Sequence, residues 1–380
     1  MTAAETMPEV VAPNAAPAPA SGVRLVSLDA FRGLTILGML LVNNVSLDTA
    51  TPTHLTHAGW GEGVHFADLV FPWFLLIVGV ALPFSAGSHR RRGGTRLSYV
   101  AKALARATAL VLLGCLIDSS LAKTPVFGLG VLQLIGLAYL VGALLYPLPA
   151  PLRLVVALGL LVGHWAALRF IAPPGAVAGA VTEATNIVSY VNDAYLSPIH
   201  LRGLISVAPT AALVMLGALV GDLLRLERAT QRAKAALLPA CGLAMAVLGW
   251  LWSRDLPFSK ALWTASYILY SGGVGVVVLS GFYLAADVLG WRALVWPLVV
   301  PGANALAAYV GPILVKVHVL QEWTWAASGA GRVPLQQALL GSCVNRWGAE
   351  GGGWVYTLGY LAVCWLALLV LHRKGLYLRV

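Results

Sequence analysis

Apolar stretches long enough to cross about 30 Å of hydrocarbon, a distance that takes about 20 helical residues, recur along this chain from Phe31 to its C-terminal end. Ten can be drawn: Leu34–Leu47, Phe66–Ala86, Val100–Ile117, Gly128–Leu145, Leu152–Phe170, Leu204–Leu224, Ala235–Trp252, Leu262–Ala286, Leu294–Val317 and Trp354–Leu371. The first is short and is expected to extend back toward Leu25. Pro83, Pro209 and Pro312 lie inside such stretches without disqualifying them, because neighbouring helices can satisfy the freed backbone groups. In the ninth, Pro301-Gly302 predicts a broken helix that turns Asn304 inward. The pattern predicts an all-α integral membrane protein, a polytopic bundle of about ten transmembrane helices with no soluble domain.

Composition agrees, with 59% hydrophobic and 11% charged residues against about 25% charged in an ordinary soluble domain. Residues 1–22, rich in Ala and Pro, lack the basic-then-apolar order of a cleaved signal peptide and are expected to be a disordered tail, leaving 23–380 as one transmembrane domain. The basic residues alternate between loops, and one face collects 17 of the 25 Lys and Arg. The positive-inside rule puts that face, and both termini, in the cytoplasm. The formal charge of +10 is mostly this bias, which suits an anionic cytoplasmic ligand and gives no reason to invoke nucleic acid. Cys115, Cys241, Cys343 and Cys364 form no close pair, so neither a disulfide framework nor a cysteine metal site is expected.

The loop from Asp48 to His65 contains no Lys or Arg and falls on the outer face. It ends in the run His54 to Trp73, where three histidines and two carboxylates stand at the lip of an apolar helix. Ionisable groups there are costly unless they face a cavity, pair or react. His57, followed by the small Ala58 and Gly59 and by Trp60, has room for a substrate; such a histidine can take a proton or briefly carry an acyl group, or be a loop histidine without a role. Asp68 can cap the helix that follows it or orient a histidine. Asn43, at the outer rim of the first stretch, is either interhelical glue or an amide donor to a developing oxyanion. Asp29 and Arg32, three apart, read as a local ion pair at the inner boundary, and Lys260 with Trp263 as an interfacial anchor pair. His318 follows the ninth stretch at its outer end. The spacing of His54, His57, His65 and Asp68 fits no helical zinc motif, and no metal is expected.

Arg24-Leu25-Val26-Ser27-Leu28-Asp29-Ala30-Phe31-Arg32-Gly33, His57-Ala58-Gly59-Trp60, Phe66-Ala67-Asp68-Leu69-Val70-Phe71-Pro72-Trp73-Phe74, Ser259-Lys260-Ala261-Leu262-Trp263 and Pro301-Gly302-Ala303-Asn304 occur in this order, and together they resemble the heparan-alpha-glucosaminide N-acetyltransferase family. The resemblance implies a transmembrane acyltransferase domain moving acetyl from cytoplasmic acetyl-CoA to the amino group of a glucosamine-type sugar on the periplasmic side of a bacterial inner membrane. It implies His57 as the catalytic histidine and Asn43 beside the acetyl group; Asp68 is expected to orient the histidine, and Asp29, Arg32, Trp60, Trp73, Lys260, Trp263, Asn304 and His318 are expected to contact the substrates. Partners implied are acetyl-CoA, the amino-sugar acceptor, membrane lipid and a second copy in a homodimer. O-acetylation of an envelope glycan and secondary transport are the alternatives, the latter suggested by broken helices and intramembrane polar groups.

Overall fold

A computed structural model describes residues 25–177, 179, 181–327 and 331–378. The expected tail 1–22, Arg24 and Arg379 lie outside the described residues. The helices are α1 (Val26–Asn44), α2 (Phe66–Arg91), α3 (Arg96–Ala122), α4 (Val131–Leu145), α5 (Ala150–Phe170), the short α6 (Ile187–Val191), α7 (Val207–Arg225), α8 (Gln231–Trp252), α9 (Ala265–Phe282), α10 (Arg292–Ala303), α11 (Ala305–Val315) and α12 (Leu335–Arg373). One antiparallel hairpin, β1 (Thr324–Ala327) with β2 (Gly331–Pro334), departs from the all-helical expectation.

All ten apolar stretches are helical, but they are not alike. Among the described residues eight helices are long and apolar enough to span a membrane, and a ninth span is formed if α10 and the segment Ala305–Gln321, bent by 65°, count as one. The remaining stretch, α4, has 15 residues; at 1.5 Å per residue it reaches about 22 Å, short of the hydrocarbon thickness. The first span reaches back to Val26, where the Asp287 carboxylate accepts from the Val26 and Ser27 amides and so caps α1 from across the bundle. The break in the ninth falls at Asn304, which is buried as the Pro-Gly signal implied. The last helix is longer than its apolar part and breaks at Gly348, whose φ of 76° a side chain would strain.

α7 is the axis of the bundle, with 72% of its most apolar window enclosed, whereas α8 and α12, at 17%, form the lipid-facing periphery. Close approach of α2 to α7 depends on small residues, as is usual where lipid offers no hydrophobic drive between helices. A Cβ on Gly79 would lie 2.1 Å from the Val214 carbonyl oxygen, and one on Gly217 2.5 Å from that of Leu76. At one end of the bundle the C-terminal turn of α2 meets that of α7, with Arg225 donating to the Pro83 carbonyl, and Arg153 pairs with Asp222. This is the arginine-rich end. At the opposite end Lys316 donates to the Asn43 carbonyl and the loop after α1 folds over the start of α2.

Candidate active site

The chain between α1 and α2 returns to the bundle through Gly61 and Gly63, at φ of 82° and 99°, and delivers His65 as the residue before α2. Asp68, in the first turn of that helix, is buried and accepts from three donors: the His65 amide at 3.2 Å, the Ala58 amide at 3.0 Å and the His57 ring through Nδ1 at 2.7 Å. One carboxylate thus closes the helix N-terminus, fixes the loop and holds the histidine, so the two roles read for it in sequence coexist. An acceptor on Nδ1 selects the tautomer with its proton there and leaves the Nε2 lone pair available. Tyr267 locks the same turn from α9, its hydroxyl donating to the Asp68 carbonyl at 2.6 Å.

The Lys260 ammonium lies 3.3 Å from Nδ1 and 3.2 Å from Nε2 of His57. A nitrogen nearly equidistant from both ring nitrogens stands over the ring face, since Cε1 occupies the plane between them. The in-plane lone pair of Nε2 is therefore not consumed by the lysine. Burial pushes the Lys260 ammonium below the ordinary lysine range, and the Asp68 carboxylate opposes that shift in part.

Lys260 is held by a compact hydrogen-bonded turn before α9. The Thr264 hydroxyl accepts from the Ser259 amide at 3.1 Å and donates to the Pro257 carbonyl at 3.1 Å, and the Ser259 hydroxyl accepts from the Leu262 amide at 3.2 Å. Within it Trp263 takes φ of 51°, unusual for a bulky residue, and its ring packs edge-on to Phe71 at 5.0 Å. Thr264→Val keeps the shape but strands the Ser259 amide. It is expected to cost about 1–3 kcal/mol, read as a lowered thermal midpoint in detergent, whereas an unchanged midpoint would show that the hydroxyl does not hold the turn.

These elements wall a cavity of about 570 Å³ whose lining includes Asn43, His57, Trp60, Asp68, Lys260 and Trp263, six of the residues expected at the site. Glu183, Phe71, Phe258 and Tyr309 also line it and were not foreseen. The Asn43 side chain is the exposed one of its pair; Asn44 is buried and donates back to the Leu40 carbonyl of its own helix. Of the other histidines, His65 bonds the Thr56 carbonyl through Nδ1 and meets the His54 ring edge-on, bracing the loop.

The remaining candidates lie elsewhere. Trp73 is buried, donates to the Ser271 carbonyl and packs on Phe31, a structural placement. Asn304 ties down the C-terminal segment, donating to the Leu376 carbonyl and accepting from the Leu378 amide. The His318 ring is 3.5 Å from Glu322 and does not line the cavity. Asp29 accepts from Arg32, which also donates to the Gly302 carbonyl at the arginine-rich end. Arg32 and Arg106 line a second cavity of about 370 Å³ there, and Tyr309 lines both it and the His57 cavity. Between the two lies a constriction with a void of only about 10 Å³, bordered by Met39, Phe71, Phe74 and Tyr309.

Fold and site together define a multi-pass helical membrane protein with a carboxylate-held histidine at the mouth of a cavity that runs into the bundle. The sequence model described as heparan-alpha-glucosaminide N-acetyltransferase, catalytic, matches residues 24–258, and the chain belongs to that family. The match takes in Asn43, His57 and Asp68 and stops just before Lys260. The chain is 26% identical over 367 residues to the heparan-alpha-glucosaminide N-acetyltransferase of Homo sapiens, covering 79% of this chain and 54% of the human protein. To that of Mus musculus it is 25% identical over 389 residues, covering 85% of this chain and 58% of the mouse protein. The chain thus spans a little over half the length of these curated relatives.

Proposed function

We propose that the chain is a transmembrane acetyltransferase that carries the acetyl group of acetyl-CoA to the amino group of a glucosamine-type sugar across the bundle. The observation that carries this reading is the line of cavities along α1, with Arg32 and Arg106 at one end and the His57–Asp68 pair at the other. The eleven helical steps from Arg32 to Asn43 rise about 16 Å, a span suited to the extended pantetheine arm. Phosphates held by guanidinium forks at the arginine-rich end would leave the thioester past the neck, beside Asn43. By the positive-inside rule that end is cytoplasmic and the His57 mouth opens on the far side, periplasmic in a bacterial inner membrane.

In the reaction the neutral sugar amine attacks the thioester carbonyl while His57 Nε2 takes its proton. Asp68 balances the resulting imidazolium. The oxyanion of the tetrahedral intermediate is met by the Asn43 amide and the Lys260 ammonium. Collapse breaks the carbon–sulfur bond, and the proton on His57 returns to the departing CoA thiolate. Trp60 and Trp263 offer aromatic faces for the sugar ring, and Glu183 an acceptor for its hydroxyls or its amine.

The test is acetyl transfer from labelled acetyl-CoA to glucosamine by the purified protein in detergent. N-acetylglucosamine is the expected product; acetyl-CoA binding with no transfer to the amine would reject the acceptor. Release of CoA before any sugar is added would replace the direct attack with an acetyl-histidine route.

Lys260 gives the reaction a pH signature. The ammonium is the charged form, and its lowered pKa means that it is lost as pH rises before the ordinary lysine value of about 10.4. The rate at saturating substrates is expected to fall on the alkaline side below that value, and Lys260→Arg, charged throughout, to move the fall upward. An alkaline limb identical in Lys260→Arg would exclude Lys260 as its source.

A further inference from the structure

The arginine-rich end carries a second, separate recess. It lies between the C-terminal turn of α2, the start of α3 and the ends of α4 and α7, has a volume of about 350 Å³, and is lined by His89, Arg90, Arg91, Arg96, Tyr99 and Arg225 among others. None of its lining residues belongs to the cavity of Arg32 and Arg106, so it stands apart from the passage assigned to acetyl-CoA.

Its charges are left without carboxylates. Among the described residues Arg90, Arg91 and Arg96 have no acidic partner. Arg225 donates to the Pro83 carbonyl and lies over the Phe84 ring, centroid 5.8 Å away. The neighbouring acid, Asp222, is taken up by Arg153 and by the Tyr146 hydroxyl. The recess is also built to shape. A Cβ on Gly87 would lie 2.5 Å from Arg225 Nη2, and one on Gly94 2.1 Å from His89 Nε2, so both glycines make way for the basic side chains that face it.

Four guanidinium groups and an imidazole describe a receptor for phosphate oxygens. The surroundings say which bearer of phosphate fits. Leu97 on α3 and Leu144 on α4, helices that border the recess, and Leu152 and Val155 at the start of the neighbouring α5 are exposed apolar residues. They offer acyl chains a surface that a soluble nucleotide does not need. We propose that this recess is a binding site for the phosphate headgroup of an anionic phospholipid in the leaflet at the arginine-rich end. Such a lipid would clamp the α2–α3 turn to α7, since its phosphate is shared between Arg96 on one side and Arg225 on the other.

The test is retention of phosphatidylglycerol by the delipidated, purified full chain, measured by native mass spectrometry. The comparison is wild type against Arg96→Gln, the double variant Arg96→Gln with Arg225→Gln, and Arg228→Gln, which removes a nearby arginine outside the recess. Retention is expected to fall about tenfold in the double variant and about threefold in Arg96→Gln, to stay unchanged in Arg228→Gln, and to survive an excess of CoA. Arg96→Gln alone changes an exposed side chain, so it reports on the site even where the double variant folds poorly. Equal retention by wild type and Arg96→Gln with an equally retained double variant would overturn the proposal. Displacement of the lipid by CoA would also overturn it, making the recess a nucleotide site.

Discussion

His57→Ala is expected to lower the rate of acetyl transfer at saturating substrates by about 10²–10⁴-fold, the usual contribution of a positioned general base, while acetyl-CoA still binds. The separation of effects follows from the geometry. His57 stands at the far end of the line of cavities from Arg32 and Arg106, and its side chain is 55% exposed, so its removal opens no core cavity and disturbs no packed helix. Steady-state rates with labelled acetyl-CoA, beside isothermal titration of CoA, measure both halves. A variant that transfers acetyl at the wild-type rate would remove His57 from the chemistry; one that no longer binds CoA would mean that the site is not divided along α1.

Asp68→Asn is expected to cost nearly as much activity, about 10²-fold or more, for a different reason. The amide keeps the size of the carboxylate and still caps α2, because asparagine is a good N-terminal acceptor. It cannot balance an imidazolium, and it can present its NH₂ to Nδ1, which selects the wrong tautomer and puts a proton on Nε2. Asp68→Ala should lose the same activity and also stability. The amides of His65 and Ala58, bonded to Asp68 at 3.2 and 3.0 Å, would be left without acceptors at about 1–3 kcal/mol. Comparing thermal midpoints of the two variants separates the cap from the chemistry. If Asp68→Asn retained full activity, Asp68 would be a helix cap and nothing more.

Much of this was legible in the sequence because the membrane makes hydropathy decisive. Unpaired backbone is excluded from lipid, so each long apolar stretch had to be helical. The Pro301-Gly302 pair announced the break at Asn304 for the same reason. The His57–Asp68 pair was readable because both residues lie within eleven positions of one helix start. What the sequence could not show is which end of the bundle each candidate occupies in three dimensions. Of Asn304, Tyr309 and His318 only Tyr309 reaches the cavity: Asn304 sits at the 65° bend and is tied to the C-terminal segment, and His318, nine residues past Tyr309, lies beside Glu322. Trp73 sits five residues after Asp68, more than one turn along α2 and rotated into the core. The neighbourhood of Lys260 reads as an interfacial anchor, and its place at the site comes from the site expectation above; the buried turn formed by Ser259 and Thr264, which turns it toward His57, depends on hydroxyl contacts that carry no periodicity. Glu183 and the Tyr267 hydroxyl gave no local signal, although a tyrosine in an otherwise apolar helix needs a partner for its oxygen. The hairpin β1–β2 has four residues per strand, too few for alternation to declare itself.

Transfer across a sealed membrane tests the central claim most directly. The protein is reconstituted in proteoliposomes of known orientation, with labelled acetyl-CoA confined to one side and glucosamine to the other. N-acetylglucosamine is expected when acetyl-CoA faces the arginine-rich end and glucosamine faces His57, and not when the two are exchanged. Product formed only with both substrates on the same side would contradict an acetyl group passing through the bundle along α1.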